Sequence, residues 1–331
     1  MPAPTLFILD VGHGNCAVLV DDNATVIDSG PGTTLLEFLV KEGITEIRTV
    51  LVSHADEDHI KGLISLIESR TVAIGVIRVN SDALQGSATW NDLTYLLDTE
   101  NKAGNLRFEV GLTTSDSGRF DSASVNVQIL APSPGLAAKG PGSKDHKGRK
   151  LTSNSASAVI RLLIDGKPKV LLPGDLDEVG LENLIESAQD LTAPVAVFPH
   201  HGGGTAGGNH SDFARAFCKA SSAKNLVFSI GRSRYGTPRP EIVAAALAHS
   251  ASVRVICTQL SEHCASELPK TDPTHLTDRV ARGREFRRCC GGTLMLKLAE
   301  DTPAVLPQLD AHREFIRASA PSALCVKTQN G

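Results

Sequence analysis

The sequence predicts an α/β fold of two sheets packed face to face with helices outside. Three observations lead there. Strand-length apolar runs alternate with helically spaced segments, each half of the chain offers strands followed by helices, and ligand-type side chains gather where predicted strands end. With 331 residues, 41% of them hydrophobic, the chain can bury enough core for one large domain or two ordinary ones.

The elements follow in order. Leu6 to Leu9, Cys16 to Val20 and Thr25 to Asp28 read as strands of a meander, and Thr33 to Lys41 as the helix it feeds. Ile47 to Val52 is a buried strand, and apolar residues at helical spacing run from Ile60 to Ile67. The segment between them is therefore a strand-to-helix loop, where chemistry usually sits in α/β folds. Residues 131–153, rich in Pro, Gly, Ser and Lys, read as a long flexible loop. Strands resume at Ser157 to Ile164, Val170 to Leu172, Val195 to Phe198 and Leu226 to Ile230, alternating with helices at Glu178 to Ser187 and Asp212 to Ala220. The expected organisation is one domain over 1–299, with a cysteine-containing late segment at 257–290. A C-terminal tail, 300–331, carries a short docking helix from Asp310 to Ala318.

Composition narrows the function. The formal charge of −4 leaves no global positive field for polyanions, so any nucleic-acid contact is local. Aromatics make up 4% of the chain, with a single Trp and two Tyr, which argues against a surface that binds single strands chiefly by stacking. The start, Met1-Pro2-Ala3-Pro4, lacks the basic region of a signal peptide, and no run of apolar residues is long enough to span a membrane. The expectation is a cytoplasmic protein, and the odd count of seven cysteines fits free thiols better than a disulfide framework.

His54-Ala55-Asp56-Glu57-Asp58-His59 sets four metal-competent side chains within six residues. Imidazoles and carboxylates together suit zinc, manganese or iron, and a loop presenting alternate side chains can serve two cations. The bland alternative is a solvated loop capping the next helix. Two further strand ends strengthen the metal reading: Leu172-Pro173-Gly174-Asp175, with a carboxylate suited to bridging cations, and Phe198-Pro199-His200-His201-Gly202, with paired imidazoles.

These segments resemble the metallo-β-lactamase superfamily, and more closely the hydrolase domain of ComEC-type competence proteins. The resemblance extends over Leu9-Asp10-Val11-Gly12-His13-Gly14-Asn15, Val26-Ile27-Asp28-Ser29-Gly30, and Arg234-Tyr235-Gly236-Thr237-Pro238-Arg239-Pro240-Glu241, roughly residues 6–260. It implies the αββα sandwich of that superfamily, and divalent zinc or manganese, one ion or two. By the same resemblance His54 and Asp56 hold one metal, Asp58 and His59 the other, Asp175 bridges, and His201 completes the second site. Asp58 would orient the attacking water and His200 would face the substrate as a general acid. Asp28 and Asp10 would hydrogen-bond the ligand loop, although Asp10 is as readily a turn acceptor. Two departures stand out. Thr237 and Arg239 replace two histidines of the competence branch, and Asn154-Ser155-Ala156-Ser157 stands where the wider superfamily places a histidine. Both leave the coordination sphere richer in oxygen, which favours manganese as a rival to zinc.

Other signals carry less. The glycine-rich run Gly202 to Gly207 matches a dinucleotide fingerprint only formally, with no acidic residue at the ribose position. Helix N-termini after Gly30-Pro31-Gly32 and after His59 would favour an anionic substrate. Basic clusters at Lys144, Lys147, Arg149 and Lys150, and at Arg279, Arg282, Arg284, Arg287 and Arg288, are either phosphate grips or solvated surface. Cys257, His263, Cys264, Cys289 and Cys290 supply enough ligands for a structural zinc, or are simply packed thiols. The expected function is a metal-dependent phosphodiesterase or nuclease acting on DNA or a nucleotide. The alternatives are a hydrolase of thioesters, lactones or phosphocholine-type esters, and a catalytically degenerate binding protein.

Overall fold

The computed structural model describes residues 3–204, 207–270 and 272–326. Thr205 and Ala206 of the glycine-rich run, Met1 and Pro2 at the start, and 327–331 of the expected tail lie outside the described residues.

Two mixed sheets form the centre. The first begins as the expected meander of β1 (Thr5–Ile8), β2 (Cys16–Val20) and β3 (Ala24–Ser29), all antiparallel, and continues in parallel through β4 (Glu46–Leu51), β5 (Ala73–Val79) and β6 (Arg107–Val110). The second runs from β7 (Asn126–Ala131) and β8 (Val159–Ile164) through β9 (Lys167–Leu172), β10 (Val195–Val197) and β11 (Asn225–Phe228) to β12 (Arg254–Cys257). Late in the chain β13 (Leu294–Lys297) returns to pair with β1 in antiparallel fashion, Thr5 opposite Lys297, and β14 (Ala304–Leu306) closes that edge.

Alternation along the strands explains the layers, because successive side chains point to opposite faces. Leu6 and Ile8 of β1 join Leu19, Ile27, Leu162, Val170, Val197 and Val227 in a core between the sheets. Phe7 faces the other way, into a second core under α1 (Thr34–Lys41), α2 (Glu57–Ser69) and α3 (Ala88–Lys102). A third core lies under α5 (Glu178–Glu186), α6 (His210–Ser221), α7 (Pro240–His249) and α8 (Leu309–Ser319) on the outer face of the second sheet. The result is the αββα sandwich, with strands buried on both faces and hence nearly continuous in hydrophobicity.

The structure adds detail in three places. Residues 131–153 contain a helix, α4 (Pro134–Lys139), and a bridge between Lys144 and Lys150. The buried Asp145 organises that bridge by accepting from the Lys147 and Arg149 amides. Helix α2 starts at Glu57 rather than after His59, with Asp56 as its extended N-cap residue, as acidic residues in a first turn favour. Residues past 300 contribute β14 to the first sheet, while Ile316 of α8 packs into the outer core of the second. Among the described residues no helix is long and apolar enough to cross a membrane.

Candidate metal centre

The three strand ends converge. One ligand atom from each of Asp58, His59, Asp175 and His201 lies within 4.8 Å of all the others. His59 Nε2 is 3.1 Å from Asp175 Oδ1, and His201 Nε2 is 3.1 Å from Asp58 Oδ2 and 3.4 Å from Asp175 Oδ1. On the other side of Asp175, His54 Nε2 stands 3.9 Å from its Oδ2 and 3.4 Å from Asp56 Oδ2. The two oxygens of Asp175 thus face two separate groups of side chains. All six residues expected as ligands meet here, while His200 sits on the cavity wall, its ring centroid 6.5 Å from that of His201.

Local backbone delivers these side chains. Asp58 and His59 occupy the first turn of α2, and Asp175 follows Gly174 just beyond β9. His200 and His201 both take left-handed conformations, φ 50° and 55°, unusual for residues with a Cβ and typical of functional sites that the surroundings hold in place. Gly14 lets the β1–β2 turn press on the metal loop, since a Cβ there would lie 2.3 Å from the Asp58 carbonyl oxygen.

Hydrogen bonds behind the ring nitrogens fix which nitrogen looks inward. His201 Nδ1 donates to the Ser229 carbonyl at 2.7 Å, which leaves Nε2 as the inward lone pair. His59 Nδ1 lies 2.8 Å from Asp28 Oδ2, and Asp28 also accepts from the Ser53 amide and hydroxyl, each at 2.7 Å. Such backing carboxylates and carbonyls are the usual partners of metal-bound imidazoles. The inward Nε2 atoms of His54, His59 and His201 are buried and have no hydrogen-bond partner. Buried polar atoms are rarely left so; a divalent cation among Asp58, His59, Asp175 and His201 would satisfy two of them, and one beside His54 and Asp56 the third. The residues present therefore fit metal.

Electrostatics agree. Burial opposes a proton on His59, but Asp175 and Asp28 outweigh it and raise its pKa. His201 is raised to about 10, burial again being overcome by Asp175 and Asp58. Burial likewise opposes charge on Asp58 and Asp175, yet the neighbouring imidazoles hold both carboxyls below the ordinary range. The cluster demands positive charge, which a metal would supply.

The matching family is described as the Metallo-beta-lactamase superfamily, over residues 9–207. The chain belongs to the metallo-beta-lactamase superfamily. That membership supports a metal-dependent hydrolase. Solved structures with a similar architecture include the metallo-beta-lactamase fold protein YhfI from Bacillus subtilis, at 12% identity, 77% coverage of this chain, 96% of that one and a TM-score of 0.49. Unliganded yeast PDE1 gives 11% identity, 78% and 98% coverage and a TM-score of 0.48. Igni18, a metallo hydrolase from the archaeon Ignicoccus hospitalis, gives 16% identity, 76% and 94% coverage and a TM-score of 0.44. No curated protein matches the chain.

Several side chains near the metallo-beta-lactamase centre escaped the sequence reading. His13 Nε2 lies 3.6 Å from Asp58 Oδ2, and its ring centroid is 4.3 Å from that of His201. Burial and the nearby His201 lower its pKa to about 3, with Asp58 and Asp175 pulling the other way, and its Nδ1 has no partner. Asn15 Nδ2 donates to Asp175 at 3.4 Å, and Gln85 Nε2 to Asp56 at 2.8 Å. Locally, Gly12-His13-Gly14 signals only a turn after a strand.

Other expectations are corrected. Asp10 bonds none of the ligand residues; it accepts from the amides of Gly12 and Gly283 and from the Gln259 side chain, tying the first turn to the late segment. The basic clusters are engaged elsewhere: Lys147 pairs with Glu186, Arg149 with Asp145 and Glu182, Arg279 with Glu42, and Arg282 with Glu285. Neither cluster lines the cavity over the metal centre. The cysteines are free. Cys257, Cys264 and Cys290 line a small void with Cys325, whereas Cys289 points at Asp10 and His263 at the Gly236 carbonyl. Among the described residues no three of these ligand atoms come within 4.8 Å of one another, so the structural-zinc alternative has no ready-made site.

Proposed function

We propose that the protein is a metal-dependent phosphodiesterase acting on DNA or a nucleotide. The observation that carries this reading is the charge of the cavity over the metal centre. Once Asp56, Asp58 and Asp175 are assigned to cations, Glu57 is the one acidic side chain left lining the cavity, against Lys61, Arg234 and Arg239, and among the described residues neither Lys61 nor Arg234 has a carboxylate within 4.0 Å. Uncompensated cations around a dication site favour an anionic substrate. A neutral lactone or thioester gives them nothing to bind. The resemblance read from the sequence to ComEC-type hydrolase domains supports the same substrate class.

In this reading Asp58, His59, Asp175 and His201 hold one cation, and His54, Asp56 and Asp175 the other. The second set is the richer in oxygen, so manganese competes with zinc there. When bound, such cations lower the pKa of water and offset charge developing on phosphoryl oxygens. Asp58, whose Oδ2 lies between His201 and His13, orients the attacking water. His13, its pKa lowered by burial and by His201, can donate a ring N–H to a phosphoryl oxygen. His200, on the cavity wall, holds a proton for the leaving oxygen.

The test is to strip the protein with chelator, reload it with zinc, manganese or magnesium, and assay bis-p-nitrophenyl phosphate and linear DNA beside the double variant D58A/H59A. Turnover restored by metal and absent from the folded double variant is the expected result. Silence on both diesters despite stoichiometric bound metal would sink this reading and bring thioester and carboxylic ester substrates forward.

A further inference from the structure

Arg234, Tyr235 and Arg239 line the cavity beyond the candidate metal ligands, and hydrolysis of an isolated diester has no use for them. The cavity encloses about 900 Å³, near the upper end of the roughly 300–1,000 Å³ range typical of small-molecule sites. A single phosphodiester group at the metals leaves most of it unfilled.

Each of these residues is arranged as if for a ligand. Tyr235 is 69% exposed on a left-handed backbone, φ 58°, yet its ring is steadied by two neighbours. The His13 ring centroid lies 4.7 Å away, and the Arg234 guanidinium carbon 5.3 Å from the ring centre. An aromatic ring held in place but left open to solvent is a stacking platform. Arg239 has its Nε buried without a hydrogen-bond partner, and its nearest carboxylate, Glu241, is 3.8 Å away. Gly204 faces it closely: a Cβ there would come 3.0 Å from Arg239 Nε, so the glycine leaves room for the guanidinium beside the cavity. A solvated surface arginine explains neither the buried nitrogen nor the cleared space. A guanidinium with donors to spare, lining the same cavity as an open aromatic ring, matches a phosphate and a base of one ligand.

We propose that Arg234, Tyr235 and Arg239 form a subsite for the nucleotide adjoining the scissile phosphodiester, with its base stacked on Tyr235 and its far phosphate bound by Arg239. The substrate class is then a nucleotide bearing phosphates on both sides of the sugar, as within a polynucleotide strand. This rests on the phosphodiesterase reading only for the word scissile; the binding itself can be measured without turnover.

The experiment is calorimetric titration of the metal-loaded protein with thymidine 3′,5′-bisphosphate, thymidine 5′-monophosphate and thymidine, repeated for R239Q, R239K and Y235A. Metal content and melting temperature check that each variant is folded. The wild type is expected to prefer the bisphosphate over the monophosphate by about ten-fold or more, the size of one charge-assisted contact of roughly 1.4 kcal/mol. R239Q should erase that preference, R239K should keep part of it, and Y235A should weaken both nucleotides by about ten-fold. Equal binding of the two nucleotides by the wild type, or a folded R239Q that retains full discrimination, would overturn the subsite. Tight, Arg239-dependent binding by an enzyme that cleaves no diester would retain the subsite while removing the phosphodiesterase reading.

Discussion

Asp28 stands directly behind His59, its Oδ2 2.8 Å from the imidazole Nδ1, while His59 Nε2 faces Asp175 on the opposite side. Asp28 also takes both Ser53 donors, so one buried carboxylate sets the ring's tautomer and clamps the start of the metal loop. Asp28 itself has a left-handed backbone, φ 55°, which asparagine tolerates well. D28N therefore removes the charge without breaking the turn. Metal affinity should fall about 10- to 100-fold, measured by competition with a chromophoric chelator. An unchanged affinity would mean that Asp28 serves only the backbone.

The approach of the β1–β2 turn to the metal loop makes a second prediction. Gly14 has φ 139°, and a Cβ added to it would lie 2.3 Å from the Asp58 carbonyl oxygen and 2.8 Å from Pro31 Cδ. One of those atoms is backbone and cannot swing aside. G14A should cost about 2 kcal/mol, within the usual overpacking range of roughly 1–3 kcal/mol, and should displace Asp58 and His13 together. Denaturant unfolding reads the stability loss, and loss of stoichiometric metal reads the displacement. A variant that keeps native stability and metal content would show that the turn can relax at little cost.

How far the sequence could be read depended on whether the signal was local. The meander, α1 and the strand leading into the His54 loop were legible because burial on a pleated or helical surface imposes a short period. The candidate ligands could be picked out because they end strands, and those strand ends meet in space. Return of β13 to pair with β1 was not legible: Thr5 meets Lys297, and nothing within a window of ten residues encodes that pairing. The same distance hid the partners of Asp10 at Gln259 and Gly283. His13 was hidden differently, since its own segment reads as a turn and its role appears only when α2 and the loop after β10 are brought beside it. The basic clusters stayed open between phosphate grip and solvated surface because charge in sequence says nothing about a partner carboxylate in space.

The segment 131–153 shows how one residue can order a stretch that composition marks as loose. Asp145 accepts from the Lys147 and Arg149 amides, each at 2.9 Å, from Arg149 Nε at 2.7 Å and from Asn183 Nδ2 at 3.3 Å, joining the bridge 144–150 to α5. Burial pushes its carboxyl up, but the Arg149 side chain, the two amides and Asn183 outweigh it and hold the pKa below the ordinary carboxylate value. A depressed folded pKa means that the carboxylate contributes stability above its unfolded pKa of about 3.9, and that this contribution is lost as the pH falls through the lower folded value. The sign for a variant follows. D145N should lower the melting temperature at pH 6, where the charged acceptor is fully present, and the gap from wild type should narrow as the pH drops below about 4. Paired thermal melts at pH 6 and at pH 3 measure the difference, and comparing the two proteins at each pH cancels the titration of the metal centre they share. A gap of the same size at both pH values would mean that Asp145 acts through shape alone, with its charge contributing nothing to the order of the segment.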